Sequence, residues 1–413
     1  MRIATLSLYF VIMLDVMGQG LVIPVLTTLL LDPSQTLLDT DTSTGMRELY
    51  FGITMGVFFL SWFLGAAYIS KLSDFIGRKQ GILICLVGGF VGYGLTIVAL
   101  YTSSFPLLLV ARIITGFTAG NQPISQAALV DQSSSDEEKT KRMGLVIVAV
   151  SMGLLVGPIL GGALTDQNLL GDLASVQAPF YAAAALVAIN ILLIVIFFHN
   201  INFEPRKVTI KITDVFLTLY HVAKRPVVLR LSLVFFCSQL ALNTFFVFLD
   251  NFLFSRFQFD TAQNSIILIV FGIGMAASGA FLVAPLAMRF PKREIIYVTL
   301  LIMAIGLVIV MVNPVGILSY AAILPFVVAF GINYPLMLSL FSASVDEHEQ
   351  GWVMGVTVAL YTLGAGIMSL IGGQLMAMSI YLPYSVSILA LVIAAILIFV
   401  LWRGESFRNL DPR

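Results

Sequence analysis

Residues 4–30 read ATLSLYFVIMLDVMGQGLVIPVLTTLL, about 27 positions broken by a single charge, Asp15. A helix rises 1.5 Å per residue, so roughly 20 apolar residues cross a bilayer, and this stretch is long enough. A short apolar core followed by a small-residue cleavage site would mark a removable leader; neither is found, so the run reads as a retained span. Eleven more runs follow at 49–70, 81–101, 106–130, 143–165, 179–199, 227–254, 262–288, 295–312, 318–343, 353–378 and 384–402. All are continuous rather than alternating ten-residue strands, so the chain reads as an all-α membrane protein of twelve transmembrane helices and not a barrel.

Composition agrees. Of 413 residues 59% are hydrophobic and 11% charged, with mean hydropathy +1.00. A soluble domain carries about 25% charged residues to wet its surface; this chain has too few and must face lipid. The net charge is zero and no basic block stands outside the membrane loops, which argues against a nucleic-acid partner. Cys85 and Cys237 sit singly in apolar runs, and His199, His221 and His348 are scattered, so no disulfide, metal or cofactor site is expected. No GxxxxGK[ST] loop occurs, GRKQG at 77–81 included, so neither ATP use nor an enzyme is indicated.

Orientation follows from Lys and Arg, which favour the cytoplasmic side. With an inside N-terminus, all but three of the 22 fall in inside segments; Arg47 and Arg256 lie outside and Arg112 within a span. Both termini are then cytoplasmic. The halves also repeat: GAAYISKLSDFIGRKQGI (65–82) aligns without gaps to GAFLVAPLAMRFPKREII (279–296), and 143–164 aligns to 354–375. Two pseudo-symmetric six-helix halves, 1–199 and 226–413, are therefore expected, joined by a cytoplasmic linker at 200–225. In it Val208, Ile212, Val215, Phe216, Leu219 and Val222 recur at helical spacing, as in an amphipathic helix on the inner leaflet; a partly ordered linker reads equally well.

The informative residues are polar groups inside spans. Asp15 lies mid-span, with Gln19 one turn on; an aspartate there costs about 2.5–3.5 kcal/mol on insertion scales, so it should face a cavity or partner. A carboxyl short of water suits proton uptake and release in a cycle; its other reading is a group satisfied by neighbouring helices. Arg112, the only basic residue within a span, would anchor substrate, tune a nearby acid or brace helices. Helical rise puts it about 10 Å from the depth of Asp15, too far for a direct bond. Asp250, beside Asn251, reads as a solvated boundary residue. Asn121, Gln122, Gln239, Asn243, Asn333 and Tyr334 are candidates for lining a substrate cavity or for bonds between helices. Gly153, Gly157 and Gly161, with Pro158 and Gly162, give one flat helix face suited to close packing.

These residues resemble a known family. SKLSDFIGRK (70–79) is similar to the loop signature G-x-x-x-D-R-x-G-R-K of the major facilitator superfamily, keeping Asp74, Gly77, Arg78 and Lys79 while Ser70 and Phe75 depart from it. ARIITGFTAG (111–120) resembles the fourth-span R-x-x-x-G motif through Arg112 and Gly116. GLLVGPILGG (153–162) matches the antiporter signature G-x-x-x-G-P-x-x-G-G, and MLDVMGQGLVIPVL (13–26) resembles the first span of tetracycline exporters. The resemblance implies alternating access in a cell membrane of bacterial type, with protons driving a small organic substrate outward. It also implies a cytoplasmic gate of Asp74, Arg78 and Asp131, with Asp74 near the start of the eleventh helix. Tetracycline exporters carry further acids in the third span and around the eighth and ninth; those spans are uncharged here, which argues against tetracycline itself. The leading expectation is a monomeric, lipid-embedded, proton-coupled exporter of an amphipathic compound. The alternatives are proton-coupled uptake of a siderophore or other polar solute, and a non-transporting receptor on the same fold.

Overall fold

The computed structural model describes residues 3–35, 37–132, 136–199, 220–346 and 349–402 with 407 and 410, and the side chains within them except at 67, 74, 136–141, 143, 144, 147, 350 and 351. The amphipathic stretch expected at 200–225 falls largely outside them. Among the described residues the regular structure is helical, with no strand.

The main helices are α1 (Ile3–Leu31), α2 (Thr44–Ile76), α3 (Arg78–Tyr101), α4 (Phe105–Phe117), α5 (Asn121–Asp131), α6 (Asp136–Thr165) and α7 (Ala178–Phe197). They continue as α8 (Pro226–Phe257), α9 (Thr261–Phe281), α10 (Val283–Arg289), α11 (Lys292–Val312), α12 (Leu324–Ala343), α13 (Gln350–Met378) and α14 (Leu382–Leu401). Eleven segments of the described residues are long and apolar enough to cross a membrane. The remaining expected span, the fourth, at 106–130, is not one helix. It is α4 and α5, separated at Thr118–Gly120, and this corrects the sequence reading. The cause is local: Thr115 and Thr118 turn their hydroxyls back onto carbonyls of α4, Gly120 has low helix propensity, and Pro123 cannot donate a backbone N–H.

Helix ends follow ordinary chemistry. The Ser43 and Ser104 hydroxyls accept the N–H groups of Met46 and Leu107 at the starts of α2 and α4. Gly77 ends α2 and begins α3 at φ 103° and ψ 149°, a conformation open essentially to glycine alone. Pro24, Pro158 and Pro335 stay inside helices, as spanning helices permit when neighbours satisfy the backbone.

The chain divides into two compact units. One comprises the described residues of Met1–Asp214 with Phe259–Ile269; the other those of Val215–Gln258 with Val270–Arg413. The opening turns of α9 group with the first unit. There Thr261 and Thr28 share a hydroxyl hydrogen bond of 2.6 Å. In that unit Arg47, only 1% exposed, ties the α1–α2 connection by donating to the carbonyls of Leu30, Thr42 and Asp39 at 3.2, 3.2 and 2.8 Å. In the second unit α8 packs on α12, α13 and α14, and Phe245 stacks on Phe326 with centroids 4.3 Å apart.

Candidate functional site

The break between α4 and α5 builds the centre of the first unit. A helix start leaves backbone N–H groups without intrahelical partners. Gly120 caps α5 and has no side chain to serve them. The carboxyl of Asp15, arriving from α1, meets the N–H of Gln122 and the side chain of Asn121 instead. An acid thus stands at the positive end of a broken helix, where backbone N–H groups point toward it.

Asp15, Gln19, Tyr93, Arg112 and Asn121 line one cavity of about 70 Å³ together with Phe58, Cys85 and Thr118. Arg112 is 5% exposed and lies over the Phe58 ring, 4.1 Å from its centroid, while its Nε has no hydrogen-bond partner among the described residues. The R-x-x-x-G spacing explains the contact. Gly116, one turn after Arg112, lets the α2 backbone at Phe58 approach so closely that a Cβ would collide with the Phe58 carbonyl, and Gly65 reciprocates against Phe117. The Tyr93 hydroxyl closes the cavity against Gly18, where a Cβ would strike it, and Tyr93 faces both Asp15 and Arg112. Sequence reading missed Phe58, Cys85 and Tyr93, because an aromatic or thiol in an apolar run looks the same whether it faces lipid or a cavity.

The loop signature forms a second cluster. Arg78 Nε donates to Asp131 Oδ2 at 3.2 Å, and its Nη1 to the Ser73 hydroxyl at 2.9 Å. Lys79 Nζ donates to the Val195 carbonyl at 2.8 Å and Arg142 to that of Leu129 at 3.0 Å, each a cation at a helix C-terminus. The Asp74 side chain lies outside those described.

The glycine face of α6 packs on α1. A Cβ at Gly153 would lie 2.5 Å from the Met13 carbonyl oxygen, one at Gly157 2.5 Å from that of Met17, and one at Gly161 3.1 Å from that of Leu21. Pro158 rests near Gly20, and Gly162 faces Ser265.

In the second unit the polar candidates behave differently. The Asn243 amide donates to the Gln239 and Tyr361 carbonyls at 2.8 and 3.3 Å, and that of Asn333 to the Thr299 hydroxyl at 2.9 Å. Both sit in helix-to-helix bonds rather than against open space. Gln239 is fully buried and Tyr334 packs between Phe235 and Phe330. Asp250 is not a solvated boundary residue. It is 0% exposed, and α8 runs on past it to Phe257.

An apolar helical bundle that sets an acid and an arginine, Asp15 and Arg112, in one cavity beside a broken helix has the make-up of a membrane carrier. The family model described as Major Facilitator Superfamily matches residues 7–369 and 231–412. The chain belongs to that superfamily; it is a multi-pass transporter of the bacterial cell membrane and not an enzyme. It is 28% identical over 369 residues to the "Tetracycline resistance protein, class C" of Escherichia coli, covering 89% of this chain and 87% of that protein. It is 26% identical over 400 residues to the "Quinolone resistance protein NorA" of Staphylococcus aureus (strain COL), covering 94% and 95%. Among solved structures, the "human organic anion transporter MFSD10 (TETRAN)" shares the fold with TM-score 0.70 and 20% identity over 96% of this chain and 99% of that one.

Proposed function

We propose that this chain is a proton-driven antiporter that exports an amphipathic organic compound. In this reading two six-helix halves, 1–199 and 226–413, alternate access around a linker at 200–225, with both termini cytoplasmic. The carrier works as a lipid-embedded monomer without ATP or cofactor.

The observation that carries the reading is Asp15 at the start of α5, in a cavity shared with Arg112 and Tyr93. An ionised carboxylate grips a positive helix end by about 0.3–1 kcal/mol, up to about 2 when partly buried. A bound proton removes that grip, so protonation changes the tie between α1 and the α4–α5 break. A ligand shifts a conformational equilibrium only by its differential affinity for the states, and here the proton supplies one. The cavity suits water and protons. Organic ligands take pockets of about 300–1,000 Å³, so the exported compound needs more room than the 70 Å³ here.

Gln19, Asn121 and Gln122 from the first unit, and Gln239 and Tyr334 from the second, are the groups assigned to substrate. Asn243 and Asn333 support them. Arg78 with Asp131, together with Asp74, Gly77 and Lys79 of the same signature, forms the cytoplasmic gate; Gly153, Gly157, Pro158 and Gly161 seal α6 to α1, and Gly162 serves the same packing motif against Ser265 of α9. The relatives named for tetracycline and quinolone resistance support export of a drug-like compound.

Proteoliposomes under an imposed pH gradient test the reading with a panel of lipophilic dyes. Dye movement opposite to the proton flux is expected. Movement with the protons would establish the uptake alternative, and no proton-linked movement would refute both.

A further inference from the structure

Two helices run from the cavity of Asp15 to the end of the first unit that carries the loop signature. On α5, Asn121 lines the cavity and Asp131 pairs with Arg78. On α7, Val187 lines the cavity and the Val195 carbonyl accepts a bond from Lys79 Nζ. Ser125 lies one turn beyond Asn121 and Asn190 three residues beyond Val187, so each stands about 4–6 Å further toward that end. Neither has a part in the site above.

Both are wholly withdrawn from solvent. Among the described residues, the Ser125 hydroxyl, both polar atoms of the Asn190 amide and Oδ1 of Asn121 have no hydrogen-bond partner. Thr115 and Thr118 show the usual outcome for a hydroxyl on a helix, a bond to a carbonyl one turn earlier; Ser125 makes none. The packing around them is apolar, since Ile124, Val187 and Ile194 belong to one buried cluster with Leu8 of α1 and Cys85 of α3. Cys85 also lines the cavity, so the cluster begins where the cavity ends. Polar atoms left unpaired in such a cluster destabilise this conformation, and apolar side chains of the same shape would avoid that cost. An amide and a hydroxyl each donate and accept, so they can orient water without trapping an ion.

We infer that Ser125 and Asn190 anchor a transient file of water that joins Asp15 to the cytoplasm when the apolar cluster parts. The inference rests on the proton-driven reading and deepens it by naming the route on which the proton leaves. The proton passes from the Asp15 carboxyl to water and on to the cytoplasm. Ser125 and Asn190 exchange hydrogen bonds with that water and keep their own protons, so charge and atoms balance. Both are positioning residues.

The test uses the full-length chain carrying Cys237→Ala, which leaves Cys85 as its one thiol. Inverted membrane vesicles present the cytoplasmic face to a small charged methanethiosulfonate, and mass spectrometry of the purified chain gives the rate of Cys85 labelling. Asn190→Leu and Ser125→Ala should each slow labelling about tenfold, roughly the worth of one hydrogen bond in the wet state. Asn190→Ser, which keeps a hydroxyl, should stay near the parent rate. In proteoliposomes Asn190→Leu should slow pH-driven ethidium transport by a similar factor and leave ethidium–ethidium exchange, which needs no proton release, unchanged. Equal slowing of driven transport and exchange would show a structural role only and overturn the inference. If Asn190→Leu fails to insert, Asn190→Val and Ser125→Ala carry the same readouts. A parent that is proton-driven, with Cys85 labelled at the parent rate in both apolar variants, refutes the water path alone. A parent that moves neither ethidium nor any other dye of the panel against a pH gradient refutes the proton-driven reading and the path's role with it.

Discussion

Gly157 of α6 presses its bare α-carbon face onto the carbonyl oxygen of Met17 in α1, leaving 2.5 Å to where a Cβ would sit. Two residues earlier on α1 is Asp15. The glycine face therefore fixes the helix that carries the acid, and the acid in turn meets the start of α5. The antiporter signature and the half-buried carboxyl are parts of one packing unit.

Adding a methyl at this contact must displace backbone, not a flexible side-chain tip. Overpacking of this kind costs about 1–3 kcal/mol. At Gly364, the repeat counterpart of Gly153, a Cβ would meet only side chains, the Phe236 ring at 3.5 Å and Leu240 at 3.7 Å, both ordinary contacts. Gly157→Ala should thus lower the melting temperature of the purified protein clearly, and Gly364→Ala should hardly move it. Equal shifts for the two would contradict the close-packing account.

Arg112 over Phe58 is a desolvated cation–π contact, worth up to about 2 kcal/mol. A double-mutant cycle of Arg112→Met with Phe58→Leu, read by chemical unfolding in detergent, should give a coupling of about 1–2 kcal/mol. Arg112→Lys should not substitute, since a lysine lacks the planar face that stacks on the ring. Additive single mutants would show that the ring and the guanidinium are merely neighbours.

Outside the spans, Arg225 Nη1 and Nη2 donate to Glu349 Oε2 and Oε1, and the guanidinium lies 4.8 Å from the centre of the Trp352 ring. This pairing holds the Glu349 carboxyl below its ordinary range. A lowered native value means that the stabilisation is complete at neutral pH and is lost as pH falls through that value. The melting-temperature gap between wild type and Glu349→Gln should therefore be open at pH 7 and close as pH drops below about 4. A gap constant across that range would show that the pair adds nothing that depends on ionisation.

Hydropathy made most of the fold legible, because lipid demands long apolar helices and little else. The fourth span escaped this reading. Its break at Thr118–Gly120 leaves the apolar count unchanged, and only the hydrogen bonds of Thr115 and Thr118 show why the helix stops. Asp15 and Arg112 were legible because charge inside a span is rare. Phe58 and Tyr93 were not, since nothing in an apolar run says which side of a helix meets a cavity. Asp250 was misread because its nearness to the end of an apolar run looked like exposure, whereas tertiary cover decides burial.

The central claim is that Asp15 couples protons to export. The direct measurement compares gradient-driven dye transport by wild type and Asp15→Asn in proteoliposomes, with dye binding measured on the same preparations. The account predicts that the asparagine variant still binds dye but no longer moves it uphill, because its amide cannot take up and release the proton. Uphill transport by Asp15→Asn at the wild-type rate would contradict it.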